Sequence, residues 1–438
     1  MPPLAPGQPF LGHALEMYRN PILHMRYLYY KMGPIYRLRV PGREFTIMAG
    51  IDANQMLSGT GDTYFRSAGE FDDFQHEMKA THFLINMDGE DHNRLRRLLR
   101  GGYSKHLYLQ NIAQAVDITR RQLRTWQPGM RLGVLDACQR IVTEQIGTLI
   151  IGHAPGDYFA DLRLFMNTIL RTLVTKTWPR AMLYRPAYRR AKARIWQLAR
   201  QVTDESRHLP PEERRPGLLR DLLECYEQGS DLVSGEDDLL AAVVGPYLAG
   251  LDTVAGTMAF AIYAFLKHEV WHTLRNEVDA LFADGELTAD RLQNASWLHA
   301  ALMETMRMYT VASFTPRTAA RAFQFHGYRV EAGTHLLIAN GLTHYLPEFF
   351  PDPDTFDLQR HLPPRREYRQ AGVFTPFSLG PHTCLGAGMG EVQLMATLAT
   401  ILHEVELALE PPDYQVQQAL TPIPSPGFGF KVRVVRQR

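Results

Sequence analysis

Phe377-Ser-Leu-Gly-Pro-His-Thr-Cys384-Leu-Gly386 is the stretch of this chain whose reading decides the fold. It sets one cysteine between glycines, just before an apolar, helix-forming run. Gly380 and Gly386 are expected to make tight backbone turns that a Cβ would obstruct. The helix start that follows supplies free backbone N–H groups and a positive dipole end, and both favour a thiolate. A single thiolate without a neighbouring Cys or His pair makes a poor zinc or iron–sulfur site, but it suits the axial position of a haem.

Working outward, the composition is that of an ordinary globular enzyme. The chain has 438 residues, 45% of them hydrophobic and 21% charged, enough for a large core. A formal net charge of +1 gives no global field toward nucleic acid or an anionic membrane. The cysteines are Cys138, Cys225 and Cys384, an odd and sparse set that builds no disulfide framework and points to a reducing compartment. The N-terminal stretch Met1-Pro-Pro-Leu-Ala-Pro-Gly-Gln-Pro has neither a basic n-region nor an apolar span. A cytoplasmic location without a signal peptide or transmembrane anchor is therefore the expectation.

Tyr36, Leu38 and Val40 alternate with Arg37 and Arg39, Pro41-Gly42 makes a turn, and Glu44 to Met48 returns, which predicts a hairpin over 35–48. A second strand-rich patch is expected over 322–339, with turns at His326-Gly327 and Ala332-Gly333. Between them, 91–309 shows helical periodicity with few breakers, as in 218–226, 239–266 and 297–308. No linker or repeat divides the chain, so one α-rich domain over 1–438 is expected, with 1–30 as a proline-rich lead-in.

The longest helix, expected to begin near Asp237, contains Gly245-Pro-Tyr-Leu-Ala-Gly250-Leu-Asp252-Thr253-Val254. Pro246 removes a donor and strains the helix, and Thr253 can turn its hydroxyl back to the carbonyl of Ala249. Glu304-x-x-Arg307 puts two opposite charges on one helical face, a pairing that by itself is usually a solvated surface pair.

Taken in order, these motifs resemble the cytochrome P-450 family. Phe377-x-x-Gly380-x-x-x-Cys384-x-Gly386 is similar to its haem-ligand signature, and Ala249-Gly250-x-Asp252-Thr253 to its oxygen-activation segment. The resemblance implies a mainly α fold with small β-sheets (α+β), a single domain holding haem b between the long distal helix and the proximal helix after the Cys loop. It implies a haem-thiolate monooxygenase with Cys384 as the iron ligand and Phe377 and Gly386 in the ligand loop. Ala249 and Gly250 would leave room for oxygen, while Asp252 and Thr253 deliver protons. His92, Arg96, Arg317 and His382 would hold the propionates; His382 stands where the family more often has Arg. Glu304 and Arg307, joined by Arg360, would form a buried structural triad. Val254 stands where the family often has Thr or Ser, and Leu358, Gln359 and His361 depart from the usual segment around Arg360.

The resemblance also implies electrons from NAD(P)H through a reductase and a ferredoxin or flavodoxin. Such a donor would dock on Arg94, Arg97, Arg100 and Lys105 with Arg365, Arg366 and Arg369, although these are equally read as a solvated face. A basic run over 180–194 reads as a substrate entrance, a membrane-surface contact or a solvated helix face. By position in the resembled fold, Phe74, Met78, Phe83, Leu84, Tyr247, Val311 and Phe314 would line a pocket for a bulky apolar substrate, hydroxylated or epoxidised on turnover. Two other readings stay open: a peroxygenase or isomerase of the same haem-thiolate type, and a non-catalytic haem sensor or electron carrier.

Overall fold

The computed structural model describes residues 1–283, 285–420 and 422–438. It is 56% helical, which bears out the α-rich expectation. The strands are β1 (Ile35–Val40), β2 (Arg43–Ala49), β3 (Phe65–Arg66), β4 (Arg131–Gly133) and β5 (Thr315–Ala319). After them come β6 (Phe323–Phe325), β7 (Tyr328–Val330), β8 (His335–Ala339), β9 (Val405–Leu409) and β10 (Lys431–Gln437). The chain forms two compact units, neither continuous in sequence. The first gathers Met1–Asp72, Phe83–Asn93 and Met306–Cys384; the second gathers Asp73–His82, Arg94–Thr305 and Leu385–Arg438.

The first unit is built on a five-stranded sheet in the order β1-β2-β8-β5-β3. Its β1–β2 hairpin turns at Pro41-Gly42, where Gly42 takes φ 74, and pairs Ile35 with Met48 through to Val40 with Arg43. Alternation explains the two faces. Tyr36 and Leu38 are fully buried, while Arg37 and Arg39 turn out to share Glu44 at 2.8 and 3.0 Å. The expected turns at His326-Gly327 and Gly333 are present. The patch is longer than the pattern indicated, because β5 begins at Thr315; Thr-Pro-Arg-Thr-Ala carries too little apolar alternation to read as a strand.

The second unit is a helical bundle closed by the sheet β4-β10-β9. Its longest helix, Glu236–Lys267, has Glu236, Asp237 and Asp238 in its first turn and Lys267 in its last, charges that suit the helix dipole. Asp238 adds caps, accepting from Ser234 Oγ at 2.8 Å and from the backbone N–H of Thr81 at 2.5 Å. The helix is long and apolar enough to cross a bilayer, yet 67% of its most apolar window is buried inside the protein, as expected of a core helix. Val134–Ile146, Phe159–Ile169, Pro186–Arg207, Leu218–Glu227 and Ala387–Glu404 pack around it.

Candidate active site

The Cys loop is a pinned turn of the first unit. Cys384 donates its backbone N–H to Phe377 O at 2.9 Å, and Thr383 closes on Gly380 O through both its N–H (3.0 Å) and its hydroxyl (2.6 Å). Gly380 takes φ 75, and a Cβ there would run into the carbonyl of Leu57, so the expected need for glycine holds. Gly386 is different. Its φ of −90 is open to any residue, and an added Cβ would meet the Tyr103 ring at an ordinary 3.5 Å. The turn therefore does not explain this second glycine. Of the cysteines, Cys138 is buried, Cys225 half-buried and Cys384 exposed, and burial pushes the Cys138 thiol up.

Cations gather beside this loop. Arg317 is 5% exposed, and among the described residues its guanidinium makes one hydrogen bond, to Pro316 O at 2.7 Å. Burial pushes it down to about 10, against the pull of Asp88 and Glu70, so it stays charged at neutral pH. A buried, charged fork with so little to bind fits an anionic group such as a haem propionate. His92 is buried with its ring 4.2 Å from that of His382, and Arg317, Pro381 and His382 line one small cleft. Arg96 is half-buried, one helical turn beyond His92 in Gly89–Arg100.

Asp88, which sequence reasoning did not single out, ties the loop down. Its carboxylate accepts from His382 Nε2 (3.1 Å) and from the N–H groups of Ala68 (2.8 Å) and Ser67 (3.0 Å). His382 is thus already engaged with a carboxylate. Burial alone would raise the Asp88 carboxyl, but bonds from His382, Ala68 and Ser67 outweigh it and hold the group below its usual range. A depressed carboxylate stabilises the fold fully above its unfolded value of about 3.9 and loses that contribution as pH falls through the depressed value. Asp88→Asn should therefore weaken the protein at neutral pH and flatten the acid limb of stability below pH ~4. Urea midpoints measured from pH 3 to 7 check this, and parallel curves for the two proteins would contradict it.

In the second unit, Thr253 donates its hydroxyl to Ala249 O at 2.7 Å, as expected. Ala249 is exposed, and Asp252, Thr253 and Val254 just beyond it on the same helix are half-buried. Gly250 is buried, and an added Cβ would meet Cδ1 at the tip of the Ile146 side chain, which would have to turn aside. Asp252 is partly buried and accepts a hydrogen bond from Gln139 Nε2 at 2.8 Å. Burial raises its carboxyl, against the bond from Gln139 and the charge of Arg163. Nothing in the local sequence around Gln139 announced this contact.

Glu304 and Arg307 are both fully buried, so they are not a solvated surface pair. Arg307 donates to His344 O (2.8 Å), Pro353 O (2.7 Å) and Thr355 O (3.2 Å) and lies over the Phe350 ring. Arg360, 1% exposed, bonds Asp352 O at 2.8 Å and pairs with Glu367 at 3.2 Å, a partner the sequence did not reveal. Of the expected docking arginines, Arg94 is held by Asp231 and Arg365 by Asp357 and Glu367. In the basic run, Arg180, Lys192 and Arg194 pair with Asp73, Glu77 and Asp161. Among the expected pocket residues, Phe74, Met78 and Tyr247 are buried in the second unit, and the Tyr247 hydroxyl is committed to His153 O at 2.5 Å. Phe83, Leu84, Val311 and Phe314 lie half-buried in the first unit, where Phe314 packs on the core of the large sheet.

A family model described as Cytochrome P450 matches residues 2–430. A putative cytochrome P450 139 of Mycobacterium tuberculosis is 28% identical over 397 residues, covering 87% of this chain and 90% of that one. Cyclooctat-9-en-7-ol 5-monooxygenase of Streptomyces melanosporofaciens is 28% identical over 419 residues, covering 91% of this chain and 87% of that one. The solved heme domain of a cytochrome P450DA superposes with a TM-score of 0.86 at 20% identity, over 100% of this chain and 98% of that one.

Proposed function

This chain belongs to the cytochrome P450 family and is an oxidoreductase of its monooxygenase kind, and from that premise we propose which residues do the work and on what. Cys384 would ligate the iron of a haem, and Arg317, with His92, Arg96 and His382, would meet its propionates. The observation that carries this is the exposure of Cys384, alone among the three cysteines, on a loop pinned at Phe377 and Gly380. When bound, the haem supplies dioxygen binding and reduction, with thiolate electron density favouring O–O cleavage.

The chain's own residues handle protons and water. The Thr253 hydroxyl, tethered to Ala249 O at 2.7 Å beside the exposed Ala249, would hold a water. Asp252, raised by burial, holds a proton more readily than a solvated aspartate and passes it on by general acid action. Electrons come from a separate ferredoxin or flavodoxin fed by NAD(P)H, in a cytoplasmic setting. Of the basic groups expected to meet that donor, Arg94 and Arg365 are already held by carboxylates. The substrate is a bulky apolar molecule, and the relative named as a cyclooctat-9-en-7-ol 5-monooxygenase favours a compound of that kind.

Thr253→Ala tests the assignment. We expect most reducing equivalents to leave as hydrogen peroxide, product per NAD(P)H to fall roughly tenfold or more, and electron uptake to persist. Coupling equal to wild type would remove Thr253 from the proton path.

A further inference from the structure

Asp252 is held by an uncharged amide, although an arginine is near enough to act on it. The helix Val134–Ile146 brings Gln139, whose Nε2 lies 2.8 Å from Asp252 Oδ1, and the helix Phe159–Ile169 brings Arg163. Arg163 is the charged side chain that acts on Asp252 among the described residues, yet its guanidinium is bonded to Asp136, which also accepts from Arg140 at 2.9 Å. A cation bonded directly to Asp252 would hold it ionised, whereas an amide need not.

Gln139 is 1% exposed, and the Thr143 hydroxyl bonds its carbonyl at 2.6 Å, which fixes that turn of the helix. Its Oε1 is buried and, among the described residues, has no hydrogen-bond partner. A buried acceptor without a partner is costly, so its place beside a proton-carrying carboxyl calls for a reason. The chemistry of the amide supplies one. A carboxylate only accepts, and Nε2–H serves it; a carboxylic acid has one O–H to donate, and Oε1 serves that. Half a turn of the amide exchanges the two ends.

We propose that Gln139 is a positioning residue for proton delivery, holding ionised Asp252 through Nε2–H and protonated Asp252 through Oε1. In each cycle Asp252 gives up one proton and regains one from water, while Gln139 turns without gaining or losing any. This rests on the proton role proposed for Asp252.

The test titrates the resting holoenzyme by infrared spectroscopy, following the carboxylic C=O band that Asp252→Asn removes. Gln139→Met fills a similar volume without donor or acceptor and loses both bonds; the one to the charged carboxylate is the stronger, so the Asp252 midpoint should rise by about one pH unit, a tenfold change in proton affinity. Gln139→Glu keeps the length and should raise it further, because two adjoining carboxyls do not both ionise; this variant carries the test if Gln139→Met does not fold. Gln139→Met should also leak peroxide, and combining it with Asp252→Asn should add nothing to Asp252→Asn alone. A midpoint unmoved in the folded variants overturns the proposal whatever happens to coupling. A moved midpoint with full coupling in Asp252→Asn instead removes the proton role of Asp252, and the role of Gln139 falls with it.

Discussion

Cys384→Ser is expected to abolish the strongly red-shifted Soret band of the reduced, carbon-monoxide-bound protein and to take monooxygenase turnover below detection. A serine hydroxyl stays protonated where a thiol ionises, and its oxygen is a harder donor, so it does not supply the electron density on which O–O cleavage depends. The loop itself should survive. Cys384 is exposed, and its bond to Phe377 O uses the backbone N–H, which serine keeps. Stability of the apoprotein should therefore change by no more than about 0.5 kcal/mol. Unfolding curves of the two apoproteins alongside the spectra separate ligand loss from misfolding. A wild-type band at the ordinary histidine–haem position, or a red-shifted band that persists in the variant, would mean that Cys384 is not the ligand.

Arg307→Leu should be the most destabilising single change in the first unit. It removes donors from the carbonyls of His344, Pro353 and Thr355, the first two of them on buried residues, while Thr355 O keeps a long bond from Arg360 at 3.5 Å. A loss of about 3–5 kcal/mol is expected for breaking such a buried charged network, set against a total stability of only ~5–15 kcal/mol. The variant should unfold at much lower urea and release haem on mild heating. Arg94→Leu is the contrast: its partner Asp231 is largely exposed, so its urea midpoint should stay close to that of wild type. Equal urea midpoints for Arg307→Leu and wild type would show that the carbonyls find other donors.

Legibility followed distance along the chain. The β1–β2 hairpin was readable because alternation and a Pro-Gly turn sit within one short segment. The helices Leu218–Glu227, Glu236–Lys267 and Ser296–Met308 lie within a few residues of where periodicity puts them, since long apolar faces repeat locally. By contrast, β4 was missed because three residues are too few to show a period, and β10 was missed although Val432 and Val434 alternate with Lys431 and Arg433; that alternation is confined to four residues, and its partner β4 lies about 300 residues away.

The candidate site divides in the same way. The ten residues around Cys384 carry their own geometry, because a turn closed by near neighbours is determined by near neighbours; so is the Thr253 bond to a carbonyl one turn back. The sequence alone was enough for the family, and it singled out Cys384, Asp252 and Thr253 as the residues proposed to act. Tertiary structure alone decided that His382 faces Asp88, that Arg360 takes Glu367, and that Gln139 holds Asp252. Apart from the Arg360 pair, these partners come from separate segments. A buried polar group must find a partner where packing brings one, and local periodicity holds no record of which residue that will be.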